Sequence, residues 1–324
     1  MTTTAILGLL AQTSLHAGAG TQTGIIDLPI QREGHNGYPC VFGSAVKGAL
    51  RDKAEQQVIA SLPVDKRPKD AKSYEEFQKA PVYDAIKSVY GSPPKQAGDS
   101  AGAIIVTDAR LLLFPVRSLT SQFKWVTCPD ALRRYQADCK RLGYSEAFTI
   151  PEFVDSTDES GAIIHNKLGA QALPSNDGLF LEEYRFQVQQ QDLSTVIAVL
   201  SKLMQRDNVT QALQNQLVIV SDDSFAHLVN HATPVNAHIA LDALTKTTKG
   251  GALWYEETLP PETLLYIGLS ANTARTPTGN PSASEILDLI LTLFTEKPYL
   301  QMGGNETVGM GWCIVKPLLQ KTGV

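Results

Sequence analysis

The chain has 324 residues, 43% hydrophobic and 19% charged, with a formal net charge of −5. That is enough to bury a sizeable core as one large domain or two modest ones, and it argues against a basic, non-specific nucleic-acid coat. An aromatic content of 7% argues against a surface built on repeated base stacking, so any RNA would be held mainly by its sugar-phosphate backbone.

Residues 4–12 read as a buried first strand. They lead into a Gly-rich stretch from Thr13 to Pro39 with little periodicity. Structureless connections this long are usually functional or disordered, and Ile25, Ile26, Leu28 and Ile30 argue against complete disorder. "GSAVKGALRDK" at 43–53 then starts a helix, with Ser44 as its expected cap and Lys47 and Arg51 on one face. A cation near the positive end of a helix suggests that an anion docks there, most simply a phosphate; the bland alternative is a solvated rim.

A helical insert is expected near 59–103, with a helix at 74–89 and a Pro/Gly loop, followed by one strong strand, "AIIVTDARLLLFPV". "DALRRYQADCKRLG" reads as a helix, "EAFTIPEFV" as a strand, and "SNDGLFLEEYRFQVQ" as a turn and strand. A helix at 192–206 and a strand at 216–220 follow. Two strand-like runs around Pro260-Pro261 come next, then the helix "SASEILDLILTLFTE", capped by Ser282 or Ser284, and a Gly loop leads into a last strand. This mixture suggests an α+β fold of the ferredoxin-like kind, as one composite domain over 1–324. No apolar run could span a bilayer, and the scattered Cys40, Cys128, Cys139 and Cys313 suit a reducing cytoplasm.

Several groupings could carry chemistry. "GGNETVGMG" has Gly304 and Gly309 at P-loop spacing, but Met310 and Gly311 replace the Lys and Ser/Thr, which excludes an NTPase. His227 and His231 are four apart, yet Leu228 stands where a zincin needs Glu. Glu256 and Glu257 are adjacent, so on a strand only one could face a given cleft; they could equally mark a solvated turn. Asp27 is the only acid before Glu33, in a loop that also holds His16, Arg32 and His35. Beside a phosphodiester its carboxylate could take a proton from the attacking oxygen or hold Mg²⁺.

Together, "LHAGAGTQTGIIDLPIQREGHNGYPCVFGSAVKGALRD", "VTDARLLLFPVRS", "LWYEETLPPET" and "GGNETVGMGW" resemble the RAMP superfamily of CRISPR systems. Within it, they resemble the repeated backbone subunit (subunit four) of the type III-B Cmr complex. The resemblance implies a modified ferredoxin-like, RRM-like palm with large insertions and a thumb hairpin, here expected within 150–192. It implies head-to-tail copies along a CRISPR guide RNA, other Cmr subunits as partners, and cleavage of paired single-stranded target RNA at regular intervals, with Mg²⁺ or another divalent cation. Asp27 then corresponds to the cleavage aspartate. Tyr255, Glu256 and Glu257 fall in a segment linked to the active site. Ser44, Lys47 and Arg51 match positions that hold guide phosphates, and His16 matches a loop histidine that handles RNA. Gly303, Gly304, Asn305, Gly309 and Gly311 match the glycine loop against the guide. The alternatives are a guide-binding RAMP subunit without nuclease activity, a CRISPR RNA maturation endoribonuclease, and a stand-alone metal hydrolase built on His227 and His231.

Overall fold

The computed structural model describes residues 2–21, 24–93, 101–119, 121–153, 161–166, 178–274 and 280–318, with only the backbone described at 249–252. Its centre is a 12-stranded mixed sheet. The first strand β1 (Thr3–Ala11) lies in the middle of one half, antiparallel to both β12 (Leu264–Ala271) and β14 (Trp312–Leu318). Its alternation explains why: Leu7 and Leu9 enter one core while Ile6 and Leu10 enter the other, so both faces are covered. Gly8 is required there, since a Cβ would sit 2.0 Å from the Leu203 carbonyl oxygen.

The strand expected at 103–116 is two. The chain breaks at Thr107-Asp108 into β3 (Ile104–Val106), on β12, and β4 (Ala109–Arg117). β4 joins the two halves of the sheet: Arg110 to Leu113 pair with β12, and Phe114 to Arg117 pair with β5 (Phe123–Thr127). Beyond it come β9 (Leu217–Val220), β6 (Gly161–His165), β8 (Tyr184–Gln191) and β7 (Leu179–Leu181). Helices cover both faces: α1 (Gly43–Ser61) and α8 (Ala283–Leu291) pack on one core, and α4 (Pro129–Arg141) and α5 (Ser194–Ser201) on the other.

The expected helix at 74–89 is broken by Pro81 into α2 (Ala71–Phe77) and α3 (Asp84–Tyr90). Of "EAFTIPEFV", residues 146–153 form no ladder and Val154 lies outside the described residues; Phe148, Ile150 and Phe153 pack on the core from irregular chain. Of the range expected to hold a thumb, 154–160 and 167–177 lie outside the described residues, and β6, β7 and β8 hydrogen-bond into the large sheet. A separate two-stranded ribbon is formed by β10 (Val235–Leu241) and β11 (Thr248–Glu257), with Ile239, Leu241 and Leu253 exposed.

α1 also starts differently from expectation. Phe42 is its cap residue and Ser44 makes no capping bond; instead the Gly43 N–H donates to Asp108 Oδ1 at 2.6 Å. The strand break at Thr107-Asp108 thus supplies the carboxylate that the helix start lacks. Asp108→Ala is expected to cost about 1 kcal/mol and Ser44→Ala less than about 0.5 kcal/mol, read from thermal unfolding of the two variants.

Candidate active site

After the glycine-rich turn, residues 27–32 are stitched to the end of β11. The Leu28 N–H donates to Tyr255 O at 3.1 Å, and the Glu257 N–H to Leu28 O at 3.0 Å. Asp27 Oδ2 accepts the Tyr255 N–H at 2.8 Å. The aspartate is therefore fixed at the root of the ribbon, half-buried, beside the exposed ring of Tyr255. From the other side, Ala19 N–H donates to Pro29 O and Gln31 N–H to Ala17 O, so the segment lies between two stretches of backbone.

His16 is buried, its Nδ1 lying 2.8 Å from Glu257 O. A carbonyl only accepts, so Nδ1 carries the proton, and Nε2 faces Gly18. The His16 carbonyl receives the Gly304 N–H at 2.8 Å. Gly303 is required beside it: its φ is +81°, and a Cβ would come within 2.3 Å of that oxygen. Gly311 closes the loop by donating to Ser14 O at 2.8 Å. His16, Gly303, Gly304 and Gly311 are thus one body, while a Cβ at Gly309 would meet open space.

Both glutamates are buried, on opposite sides of β11. Glu256 Oε1 accepts from Asn305 Nδ2 at 2.6 Å and lies 3.9 Å from His16 Nδ1. Glu257 accepts from the Ile30 N–H at 3.0 Å, the Thr233 hydroxyl at 2.7 Å and Arg32 Nη2 at 2.5 Å. These partners make them clasps that hold loops. The alternative that the pair marks a solvated turn is corrected, because both carboxylates are buried.

The basic helix face is also engaged. Arg51 Nη2 donates to Tyr90 O at 2.7 Å and Gly91 O at 3.0 Å, capping the end of α3. Lys47 Nζ lies 3.4 Å from Ile104 O, and burial together with nearby Arg51 lowers its pKa. Asp108 already takes the Gly43 amide, so an anion at this helix start would meet that carboxylate as well as Lys47. The link between this helix and the loop is Gln31, which the sequence reading did not single out. Its Oε1 accepts the Phe42 N–H at 2.7 Å and its Nε2 donates to Gly18 O at 3.0 Å. Arg32, Thr233 and Asp108 were likewise not singled out as site residues, because their partners lie far away in sequence.

His227 and His231 share α7 (Asp222–His231), with ring centroids 4.4 Å apart and His227 Nε2 2.8 Å from the Tyr184 hydroxyl. Among the described residues no group of three His, Cys, Asp or Glu could hold a metal ion.

The sheet runs from Thr3 to Leu318, and a model of the RAMP superfamily matches residues 9–314, which take in both the N-terminal loop and the C-terminal glycine loop. The chain belongs to the RAMP superfamily. Among similar RAMP proteins is the CRISPR system Cmr endoribonuclease Cmr4 of Pyrococcus furiosus, 31% identical over 310 residues, which are 95% of this chain and 93% of that protein. The CRISPR system CMR subunit Cmr4 of Saccharolobus solfataricus is 26% identical over 93% of this chain and 92% of its own length. The crystal structure of oligomeric Cmr4 from Pyrococcus furiosus matches with a TM-score of 0.65 and 28% identity, covering 97% of both chains. The type III-B Cmr-beta complex bound to cognate target RNA contains a chain of the same fold, with a TM-score of 0.64 and 19% identity. The RAMP fold expected from the motifs is therefore the fold of this chain. No helix among the described residues is long and apolar enough to cross a membrane.

Proposed function

We propose that this RAMP chain is the backbone subunit of a type III-B CRISPR effector, binding guide RNA and cutting the paired target RNA. One observation carries the reading: the near full-length identity to a Cmr endoribonuclease. Copies of the chain would repeat along the guide, together with other Cmr subunits, in the cytoplasm, where four buried free thiols stay reduced.

In the proposed reaction the target 2′-OH attacks the adjacent phosphorus. The 2′ proton is lost to a base, the P–O5′ bond breaks, and the 5′ oxygen leaves as a hydroxyl, giving a 2′,3′-cyclic phosphate. Asp27 is the candidate for holding or accepting that proton. Its amide contact with Tyr255 fixes the carboxylate through Oδ2, and that atom's partner is a neutral donor. Buried His16 and the glycine loop would orient the RNA chain from the opposite side through backbone contacts.

The residues fit a divalent cation in a limited way. Mg²⁺ at RNA sites takes one or two carboxylates and completes its shell with phosphates and water, so Asp27 alone suffices on the protein side. When bound, the cation would neutralise charge developing on the phosphate.

The test is assembly with the partner subunits and a guide, followed by incubation with labelled, guide-matched RNA. Expected are fragments at a regular spacing that end in cyclic phosphate, with unmatched RNA left intact. EDTA is expected to slow cutting more than ~10-fold without releasing the guide, the loss typical of removing a charge-stabilising group. A complex that binds matched RNA and never cuts it would instead be a purely guide-binding assembly.

A further inference from the structure

Arg32 lies in the same loop as Asp27, and the geometry points to it as the residue that positions Asp27, an inference that rests on the cleavage reading above. Just upstream of Asp27, Ile25 is 92% exposed. The placement of the carboxylate depends on its own bond to the Tyr255 N–H and on what holds residues 28–32.

To the backbone bonds of Leu28, Pro29 and Gln31, one guanidinium adds a second hold. Arg32 Nη1 donates to Gly37 O at 2.9 Å and so closes its own turn. The same nitrogen reaches Val229 O at 2.9 Å and Asn230 Oδ1 at 3.1 Å, at the end of α7. Nη2 reaches Glu257 Oε1 at 2.5 Å, at the end of β11. The other Glu257 oxygen takes the Ile30 N–H, three residues from Asp27. The loop is thereby bolted to a helix and a strand at once, with the pair's side chains 21% and 4% exposed. The forked guanidinium meets the Nη1 acceptors and the Glu257 carboxylate from two separate nitrogens, whereas an ammonium has a single nitrogen to share between the two sides. Next door, Arg134 of α4 holds Glu33 Oε1 at 2.5 Å, which keeps the far side of the turn in place.

Misplacing a reacting group by about 1 Å can cost ~10²-fold in rate, so the clasp should act on cleavage and not on RNA affinity. The experiment uses the guide-loaded complex and measures single-turnover cleavage of matched RNA beside its equilibrium binding. Arg32→Ala is expected to slow cleavage by ~10–100-fold with binding changed less than about 3-fold. Arg32→Lys is expected to recover part of the rate. Should Arg32→Ala fail to fold, Glu257→Gln decides, because it keeps the side-chain volume and an acceptor for Ile30 while losing the charge pair. Its expected loss is ~10-fold in rate, again at unchanged binding. Wild-type cleavage by either folded variant overturns the inference, as does loss of binding in step with loss of rate. Asp27→Asn run in parallel separates two failures. If that variant cuts normally, Asp27 is removed from the chemistry and has no role to be positioned for; if it is inactive while the Arg32 and Glu257 variants cut normally, only the positioning role falls.

Discussion

Asp27→Asn is expected to lower target cleavage by ~10²–10⁴-fold while guide and target affinity stay within about 2-fold. The amide is nearly isosteric, and its oxygen can still accept the Tyr255 N–H that Asp27 Oδ2 accepts at 2.8 Å, so residues 27–32 should keep their path. What the variant loses is the negative charge and the ability to take a proton. Single-turnover cleavage of matched RNA, with gel-shift binding on the same preparations, is the measurement. A variant that cuts at the wild-type rate removes Asp27 from the chemistry, and one that no longer binds guide makes it structural.

The second large effect is on stability. Gly311 has a φ of +83°, and a Cβ there would lie 2.0 Å from Met302 O. Gly311→Val combines left-handed strain with a backbone clash and is expected to cost about 3 kcal/mol or more, lowering the melting temperature by on the order of 10 °C. Gly309 is the internal control, because it has a φ of +84° and nothing within 4 Å of an added Cβ. Gly309→Ala should therefore show the strain alone, about 1–2 kcal/mol. Thermal unfolding of both variants separates the two causes; equal losses would mean that the clash is relieved by movement of the loop.

Elements whose causes are local were legible in the sequence. β1 reads as a strand buried on both faces because it is apolar at nearly every position, and the start of α8 is set by Ser282, which forms a capping box with Glu285. Pro260 and Pro261 separate β11 from β12 as their chemistry requires. The misses have distant causes. Ser44 looks like a cap, but Asp108 holds Gly43, and the aspartate arrives only once β4 has docked. "EAFTIPEFV" alternates because its aromatics reach a core, without any neighbouring strand to pair with. The motif resemblance brought His16, Asp27, Tyr255 and the glycine loop to notice, and the structure joins Asp27 to Tyr255 and His16 to the glycine loop. It did not show that Glu256 and Glu257 are buried, because adjacent letters on a strand say nothing about what lies on either side.

The place of β1 in the sheet has a consequence for how the molecule is made. Its two hydrogen-bonding neighbours are drawn from residues 264–271 and 312–318, so this strand waits for chain made more than 250 residues after it. Until then its leucines and isoleucines have no sheet to join, a long-range closure that slows folding and exposes sticky chain to the cell. Since Gly304 and Gly311 hold the loop around His16 from the same late segment, that loop too takes its final form only after residues 304–311 have arrived.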